Sequence, residues 1–250
     1  MDTASQPFSN FAKVYDSFMH FVDYEGWAKY VKRILDFYDI KGKKLLDLAC
    51  GTGKCSVLFA EESFEVTGID ISQSMLDVAK AKQESTQYNI QYFCQDIRKF
   101  NVPEKADIAI SLYDSLNYIL EKNDLQETFF CVYNALGKEG IFIFDMNTEY
   151  ALKHIWGNGK IRRNEGGVKS VWQNEYDDAA RIATLNLTWQ VKEDGKKKEY
   201  FELHKERAYP NEEILDMLKK AGFSLSVIYA HGTFIQPIEF TARIMVVAIK

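Results

Sequence analysis

Four groups of polar and glycine residues stand where apolar runs end, and each suggests a chemistry. The first is Asp47-Leu-Ala-Cys-Gly-Thr-Gly53, between the apolar Leu45-Leu46 and Val57-Leu58-Phe59-Ala60. Gly51 and Gly53 permit positive φ and close approach of a ligand. A helix starting just after them offers unpaired N–H groups and a positive dipole end to a polar ligand group. The second is Asp70, closing Glu65-Val-Thr-Gly-Ile-Asp70. A carboxylate at the end of a second strand can accept from two vicinal hydroxyls at once; the alternative is a capping or turn aspartate. The third is Gln95-Asp96-Ile97, and the fourth is Ser111-Leu-Tyr-Asp-Ser-Leu-Asn-Tyr118. Two phosphate-binding motifs are disfavoured. A P-loop requires G-x-x-x-x-G-K-[ST], but Lys54 is followed by Cys55 and Leu48 stands where the first glycine should be. A dinucleotide fingerprint requires a third glycine, and that position is Ser56.

The elements that must hold these groups follow from periodicity. Leu45, Leu46 and Leu48 with Asp47 read as a strand buried on both faces of a parallel sheet. Further strands are expected at Glu65–Asp70, Ile90–Cys94, Ala106–Ile110 and Ile141–Asp145. Ser72 is expected to cap a helix whose inward face carries Met75, Leu76 and Ala79. A helix over about 125–136 should end at Gly137 as its C′ glycine. Phe11 to Phe37 shows helical spacing, broken near Val22–Gly26, and residues 1–10 read as frayed. From Val168 to Arg207 the pattern alternates, with Leu185, Leu187, Trp189 and Val191 on one face and a hairpin turn at Asp194-Gly195. Asn211 reads as the N-cap of a last helix ending at Gly222. Phe223–Tyr229 and Arg243–Ile249 read as the closing strands.

Taken in order, these groups resemble motifs I to IV of the class I, seven-strand S-adenosylmethionine-dependent methyltransferases. Asp47-Leu-Ala-Cys-Gly-Thr-Gly53 is similar to the acidic-x-G-x-G-x-G motif, with Ala49 in place of the first glycine. The D-S-x-N-Y run formed by Asp114, Ser115, Asn117 and Tyr118 resembles a signature of one bacterial subgroup. The resemblance implies an α/β, Rossmann-like seven-stranded sheet with helices on both faces and an inserted antiparallel β lid. It implies a cofactor core over 1–150 and 209–250, a helical cap over 1–40 and a lid over 160–208. It further implies S-adenosyl-L-methionine as cofactor and S-adenosyl-L-homocysteine as product, with Asp47, Ala49, Gly51, Gly53, Asp70, Ile71, Met75, Asp96, Ile97 and Leu112 around the cofactor. Asp96 would accept from the adenine amino group, and Tyr15 would close over the cofactor. Tyr15, Asp114, Asn117 and Tyr118 are the candidates for the catalytic site, Asp114 as base or ammonium partner and Asn117 as an orienting group. Asp114 and Asn117 could instead simply hydrogen-bond their own loop.

Composition narrows the function. The 250 residues carry a formal net charge of −5, with a sequence pI of about 5.5. That argues against non-specific nucleic-acid binding and leaves open a local basic face around Arg162, Arg163 and Lys196 to Lys198. A solvated turn accounts for those lysines more simply than contact with an acidic substrate. No apolar leader stands in Met1–Asn10 and the apolar runs are strand-length, so a cytoplasmic protein off the membrane is expected. The four cysteines form no C-x-x-C pair and read as reduced thiols in buried elements. The four histidines show no ligand spacing, and no metal is expected. Three functions are carried forward. One is a methyltransferase acting on N or O of a small molecule, as monomer or homodimer. The second is an RNA or protein methyltransferase, one branch of which is disfavoured by the missing (D/N)-P-P-(Y/F) signature. The third is a non-catalytic S-adenosylmethionine-binding protein.

Overall fold

The computed structural model describes residues 7–165, 167–193 and 196–250. In chain order the elements are α1 (Ala12–Phe18), α2 (Tyr24–Phe37), β1 (Lys44–Leu48), α3 (Lys54–Glu61), β2 (Glu65–Asp70), α4 (Gln73–Gln83), β3 (Gln91–Cys94) and β4 (Ala106–Ser111). A 3-10 turn over Ser115–Tyr118 leads to α5 (Lys122–Ala135) and β5 (Leu136–Asn147). After a π turn at Ala151–Trp156 come β6 (Gly159–Glu165), β7 (Val168–Asp177), β8 (Ile182–Glu193) and β9 (Lys196–Arg207). The chain closes with α6 (Asn211–Ala221), β10 (Leu225–Ala230) and β11 (Arg243–Ile249).

Seven strands form one sheet in the order β10-β11-β5-β4-β1-β2-β3. Strands β1 to β5 run parallel, and β11 pairs antiparallel with both β5 and β10. The central strand is buried as its composition requires, with Leu45, Leu46 and Leu48 at most 1% exposed. One apolar cluster packs α5 and α6 on one face of this sheet, and a second packs α2, α3 and α4 on the other. Strand order reverses beside β1, so the carboxyl ends of β1 and β4 flank the crevice where open α/β sheets take ligands.

The second sheet is antiparallel, β6-β7-β8-β9. A third apolar cluster joins it to α1: Phe18 stacks on Trp172 at 5.5 Å, and Phe11 meets Trp189 edge-on at 5.2 Å. Leu187 and Trp189 are buried and Leu185 and Val191 pack against them, so the expected alternation holds. Each strand has its other face in solvent, and the apolar stripe of this sheet alone could not bury itself. The short amphipathic α1 completes that core.

Five local expectations are corrected. Residues 7–10 are tied down rather than frayed: the Phe8 and Asn10 N–H groups donate to the Glu202 carboxylate at 2.8 and 3.1 Å. Gly137 stands at C′, after the C-cap Leu136, but does not take the left-handed backbone expected of a C′ glycine; α5 passes directly into extended Leu136 and left-handed backbone falls at Glu139. The extra residues are absorbed where the β4–β5 register jumps from Ala106↔Leu136 to Ile108↔Ile141. For the same reason β5 opens at Leu136, ahead of Gly140. Asn211 is the first helical residue of α6, with Pro210 at the N-cap. Cys94 is exposed at the end of an outer strand. Residues 1–6 and the Asp194-Gly195 turn lie outside the described residues; the pairing Glu193↔Lys196 brackets that turn.

Candidate active site

The β1–α3 turn is built on left-handed backbone. Ala49, Gly51 and Gly53 have φ of 56, 55 and 73°. Glycine is required at 53 for space as well, since a Cβ there would stand 2.4 Å from the Tyr92 hydroxyl. At Gly51 a Cβ would meet nothing within 4 Å, because that backbone faces a cavity of about 930 Å³. Ala49 takes the same conformation without a glycine's freedom, at a cost of roughly 1–2 kcal/mol.

Asp47, Ala49, Gly51, Asp70, Ile71, Met75, Asp96, Ile97 and Leu112 all line this cavity. Gly53 does not; it starts α3 behind the wall. Asp47 is 2% exposed, and Ser56 Oγ donates to it at 2.5 Å. Burial lifts its carboxyl to about 7, the Ser56 bond acting against that rise. Asp70 clamps two loops, its oxygens accepting the Gly51 and Ser72 N–H groups at 2.8 Å each. Burial raises this carboxyl too, and those N–H bonds oppose the rise. Each oxygen keeps a second lone pair for a ligand hydroxyl. Asp96 is paired with Arg98, which holds its carboxyl below the usual range. Arg98 also reaches Asp124 at 2.8 Å, so β3 and α5 are bridged at the cavity rim.

The cap is fastened over this cavity from two sides. Asp16 accepts from Thr52 Oγ1 at 2.7 Å and pairs with Lys82 Nζ at 2.6 Å, tying α1 to the glycine turn and to α4. On the other side Glu202, fully buried on β9, accepts the N–H groups of Phe8, Asn10 and Phe11. Ser72 Oγ donates to the Phe8 carbonyl at 2.9 Å. The segment 7–11 is therefore a strap between α4 and the second sheet, and Pro7, Phe8 and Ser9 line the large cavity.

A smaller cavity of about 140 Å³ lies between the core and the second sheet. Phe8, Tyr15, Tyr113 and Tyr118 line both cavities. Asp114 lines the smaller one with Glu206, His204, Asn174 and Arg243. Arg243 Nη1 reaches Asp114 Oδ1 at 2.7 Å and also bonds Asp145. Burial opposes the Arg243 charge, and the two aspartates more than offset it. Asp145 is lifted to about 6 by burial, against the pull of Arg243. The Tyr118 hydroxyl lies 3.2 Å from Nδ1 of His204. Burial, and then neighbouring Tyr24, pushes the Tyr15 phenol well up, so it stays a neutral hydroxyl.

Asn117 lines neither cavity. Its Nδ2 donates to the Asn147 and Arg207 carbonyls, and its Oδ1 accepts the Asn147 N–H at 2.9 Å. It therefore pins the end of β5 to the end of β9. Asp114 and Asn117 share one loop bond, Asn117 N–H to the Asp114 carbonyl, but their side chains bond β5, β9 and β11.

Glu202, His204 and Glu206 escaped the sequence reading. Their signal was parity: they sit opposite Leu187, Leu185 and Ala183, on the inward positions of an alternating strand. Asp145 and Arg243 were seen only as strand ends. Among the described residues no cluster of three His, Cys, Asp or Glu side chains is arranged to hold a metal ion. No described helix is long and apolar enough to cross a membrane.

Known proteins match this architecture. A family of methyltransferase domains matches residues 45–140, the segment from β1 to β5. A protein of Geobacillus sp. (strain WCH70) that carries a methyltransferase name is 33% identical over 97% of this chain and 99% of its own length. The crystal structure of an S-adenosylmethionine-dependent methyltransferase from Clostridium acetobutylicum ATCC 824 superposes with a TM-score of 0.84, at 30% identity, over 96% of this chain and 97% of that one. An amino pentose methyltransferase from Micromonospora echinaspora, solved with S-adenosylmethionine bound, shares the fold at a TM-score of 0.71 and 18% identity, over 99% of both chains. The chain belongs to the class I S-adenosylmethionine-dependent methyltransferases, and S-adenosylmethionine is its cofactor.

Proposed function

We propose that the chain transfers a methyl group to nitrogen or oxygen of a small molecule held in the smaller cavity. S-adenosylmethionine, when bound, supplies an activated methyl on a sulfonium sulfur. The larger cavity fits that cofactor, with open space over Gly51, free lone pairs on Asp70 and a rim carboxylate at Asp96. Asp47, Ala49, Gly51, Ile71, Met75, Ile97 and Leu112 would complete its walls, with Gly53 shaping the turn.

The observation that carries this reading is the shared wall of Phe8, Tyr15, Tyr113 and Tyr118 between the two cavities. A nucleophile in the smaller cavity is then presented across that wall while the cap excludes water. Such positioning is worth roughly 7–11 kcal/mol of the barrier. Tyr15 and Tyr118 would orient the acceptor, Asp114 would meet its polar group, and Asn117 would act as a positioning residue through β5 and β9. The core is best divided as 1–150 with 209–250, carrying the cap over 1–40 and the lid over 160–208.

The lid's charge pattern supports a small acceptor over RNA or protein. Arg162 and Lys196 to Lys198 lie on opposite edge strands of the lid, so they form no continuous stripe for a polyanion. Ala183 lines the smaller cavity, and Ala183→Phe should fill it. The variant is expected to keep S-adenosylhomocysteine affinity within about twofold and to lose at least about tenfold in methyl transfer to a metabolite extract. Undiminished transfer would place the acceptor elsewhere.

A further inference from the structure

The smaller cavity has a polarised lining. On its core side two carboxyl groups, Asp114 and Asp145, bond one guanidinium, Arg243, and Glu206 of the lid strand β9 stands beside Asp114. Asp145 is satisfied without the cavity, because its two oxygens accept the Tyr113 and Asp114 backbone N–H groups and bond Arg243. Glu206 accepts from Asn147 Nδ2 at 2.9 Å, and burial, then the neighbouring Asp114 charge, pushes its carboxyl well up. Asp114 and Glu206 both line the cavity. Arg243 is the one cation bonded to this cluster among the described residues, and it is shared between two aspartates.

Two further features point to a ligand. The Asn174 amide lines the cavity on β7 and is 6% exposed, and no hydrogen bond reaches it among the described residues. This amide is thus open to a guest in the cavity. The remaining walls are aromatic, with Tyr15, Tyr113, Trp156 and Trp172 prominent. Ring faces attract cations, and more strongly when water is excluded. Arg163 stands on the lid side, 5.0 Å over Trp172. As a cation it directs a positive guest away from itself, toward Asp114 and Glu206.

We propose that the acceptor is a primary or secondary amine that enters this cavity as its ammonium ion, bound by Asp114 and Glu206 with Asn174 as a third partner. This rests on the small-molecule reading above and narrows it from nitrogen or oxygen to a basic nitrogen. An ammonium nitrogen has no lone pair to offer. The Asp114 carboxylate takes one of its protons: an N–H bond breaks, an O–H bond forms, and the electron pair stays on nitrogen. Glu206, whose carboxyl is pushed well up by burial and then by the Asp114 charge, already holds its own proton, so both carboxyl groups end neutral, which burial favours.

The test uses the full chain saturated with S-adenosylhomocysteine. Benzylamine, piperidine and propylamine are titrated against their oxygen isosteres benzyl alcohol, tetrahydropyran and propanol. Binding is read by calorimetry and by the fluorescence of Trp156 and Trp172 in the cavity wall. Each amine is expected to bind at least about tenfold tighter than its isostere, and Glu206→Gln is expected to cut that preference at least about fivefold. The isostere pairs on the unaltered protein carry the test if Glu206→Gln fails to fold. Equal binding of the oxygen isosteres would overturn the cationic acceptor and leave the small-molecule reading standing. Binding of neither set would overturn both.

Discussion

At the scale of single residues, two buried carboxylates do different work in one cavity. Asp47 is held protonated near neutrality, with its carboxyl lifted to about 7 by burial. An unfolded aspartate titrates near ~3.9. Between about pH 4 and pH 7 the folded chain therefore holds a proton that the unfolded chain has released. Stability must fall as pH rises through that window, by an amount on the order of a few kcal/mol. Asp47→Asn removes this dependence while keeping an acceptor for Ser56. In denaturant unfolding, the stability of Asp47→Asn relative to the parent should rise from pH 5 to pH 8; parallel profiles would mean that Asp47 is charged in the fold. Asp70 is instead a clamp, spending one lone pair per oxygen on Gly51 and Ser72. Capping and ligand contact are thus compatible at Asp70, which lines the cavity and keeps further acceptor capacity on its oxygens. Asp70→Asn preserves one acceptor oxygen, whereas Asp70→Ala strands both N–H groups at about 1–3 kcal/mol each. Calorimetry should show S-adenosylhomocysteine affinity down at least about tenfold for both, equivalent to about 1.4 kcal/mol. Only the alanine variant should also lose melting temperature. Unchanged affinity would reduce Asp70 to a turn residue.

At the scale of elements, the lid and the cap form one unit that neither could form alone. The lid's apolar stripe is covered by α1 through Phe11, Phe18 and Met19. Its buried charges reach past that stripe, and Glu202 gathers three N–H groups at the start of α1. A carboxylate there meets both unpaired donors and the positive end of the helix. Glu202→Gln should loosen the strap over the cofactor cavity. Hydrogen exchange at Phe8, Asn10 and Phe11 should accelerate, and S-adenosylhomocysteine should dissociate at least about fivefold faster in stopped-flow measurements. Exchange and dissociation at the parent's rates would make the strap incidental to cofactor retention. This clamp was hidden in the sequence because it joins residues nearly two hundred positions apart. Local patterns were more informative. The leucines of β1, the cap at Ser72 and the alternation of β8 each appear where burial demands them. Gly137 and Asn211 misled for one reason: each carries a strong local signal that the neighbouring element overrides. At Gly137 the chain is already committed to pairing with β4, and at Asn211 Pro210 already supplies the extended residue before the helix.

At the scale of the whole molecule, the parallel sheet sets the cofactor cavity and the inserted sheet sets what stands beside it. The residues that line the larger cavity were legible because they lie at strand ends, in an order the topology imposes. The lining of the smaller cavity, the proposed acceptor site, was legible only in part. Tyr15, Asp114 and Tyr118 line the smaller cavity, but Glu206, His204 and Asn174 come from the inward face of the lid. No local pattern brings these two sets together; the lid's register on the core does. The central proposal is that methyl groups pass to a small molecule between lid and core. It is tested most directly by incubating the protein with methyl-labelled S-adenosylmethionine and a whole-cell extract, then separating metabolites from RNA and protein. The label should accumulate in the metabolite fraction, in a basic nitrogen compound, and Ala183→Phe should abolish that accumulation. Label recovered in RNA or protein, with none in the metabolites, would contradict the account.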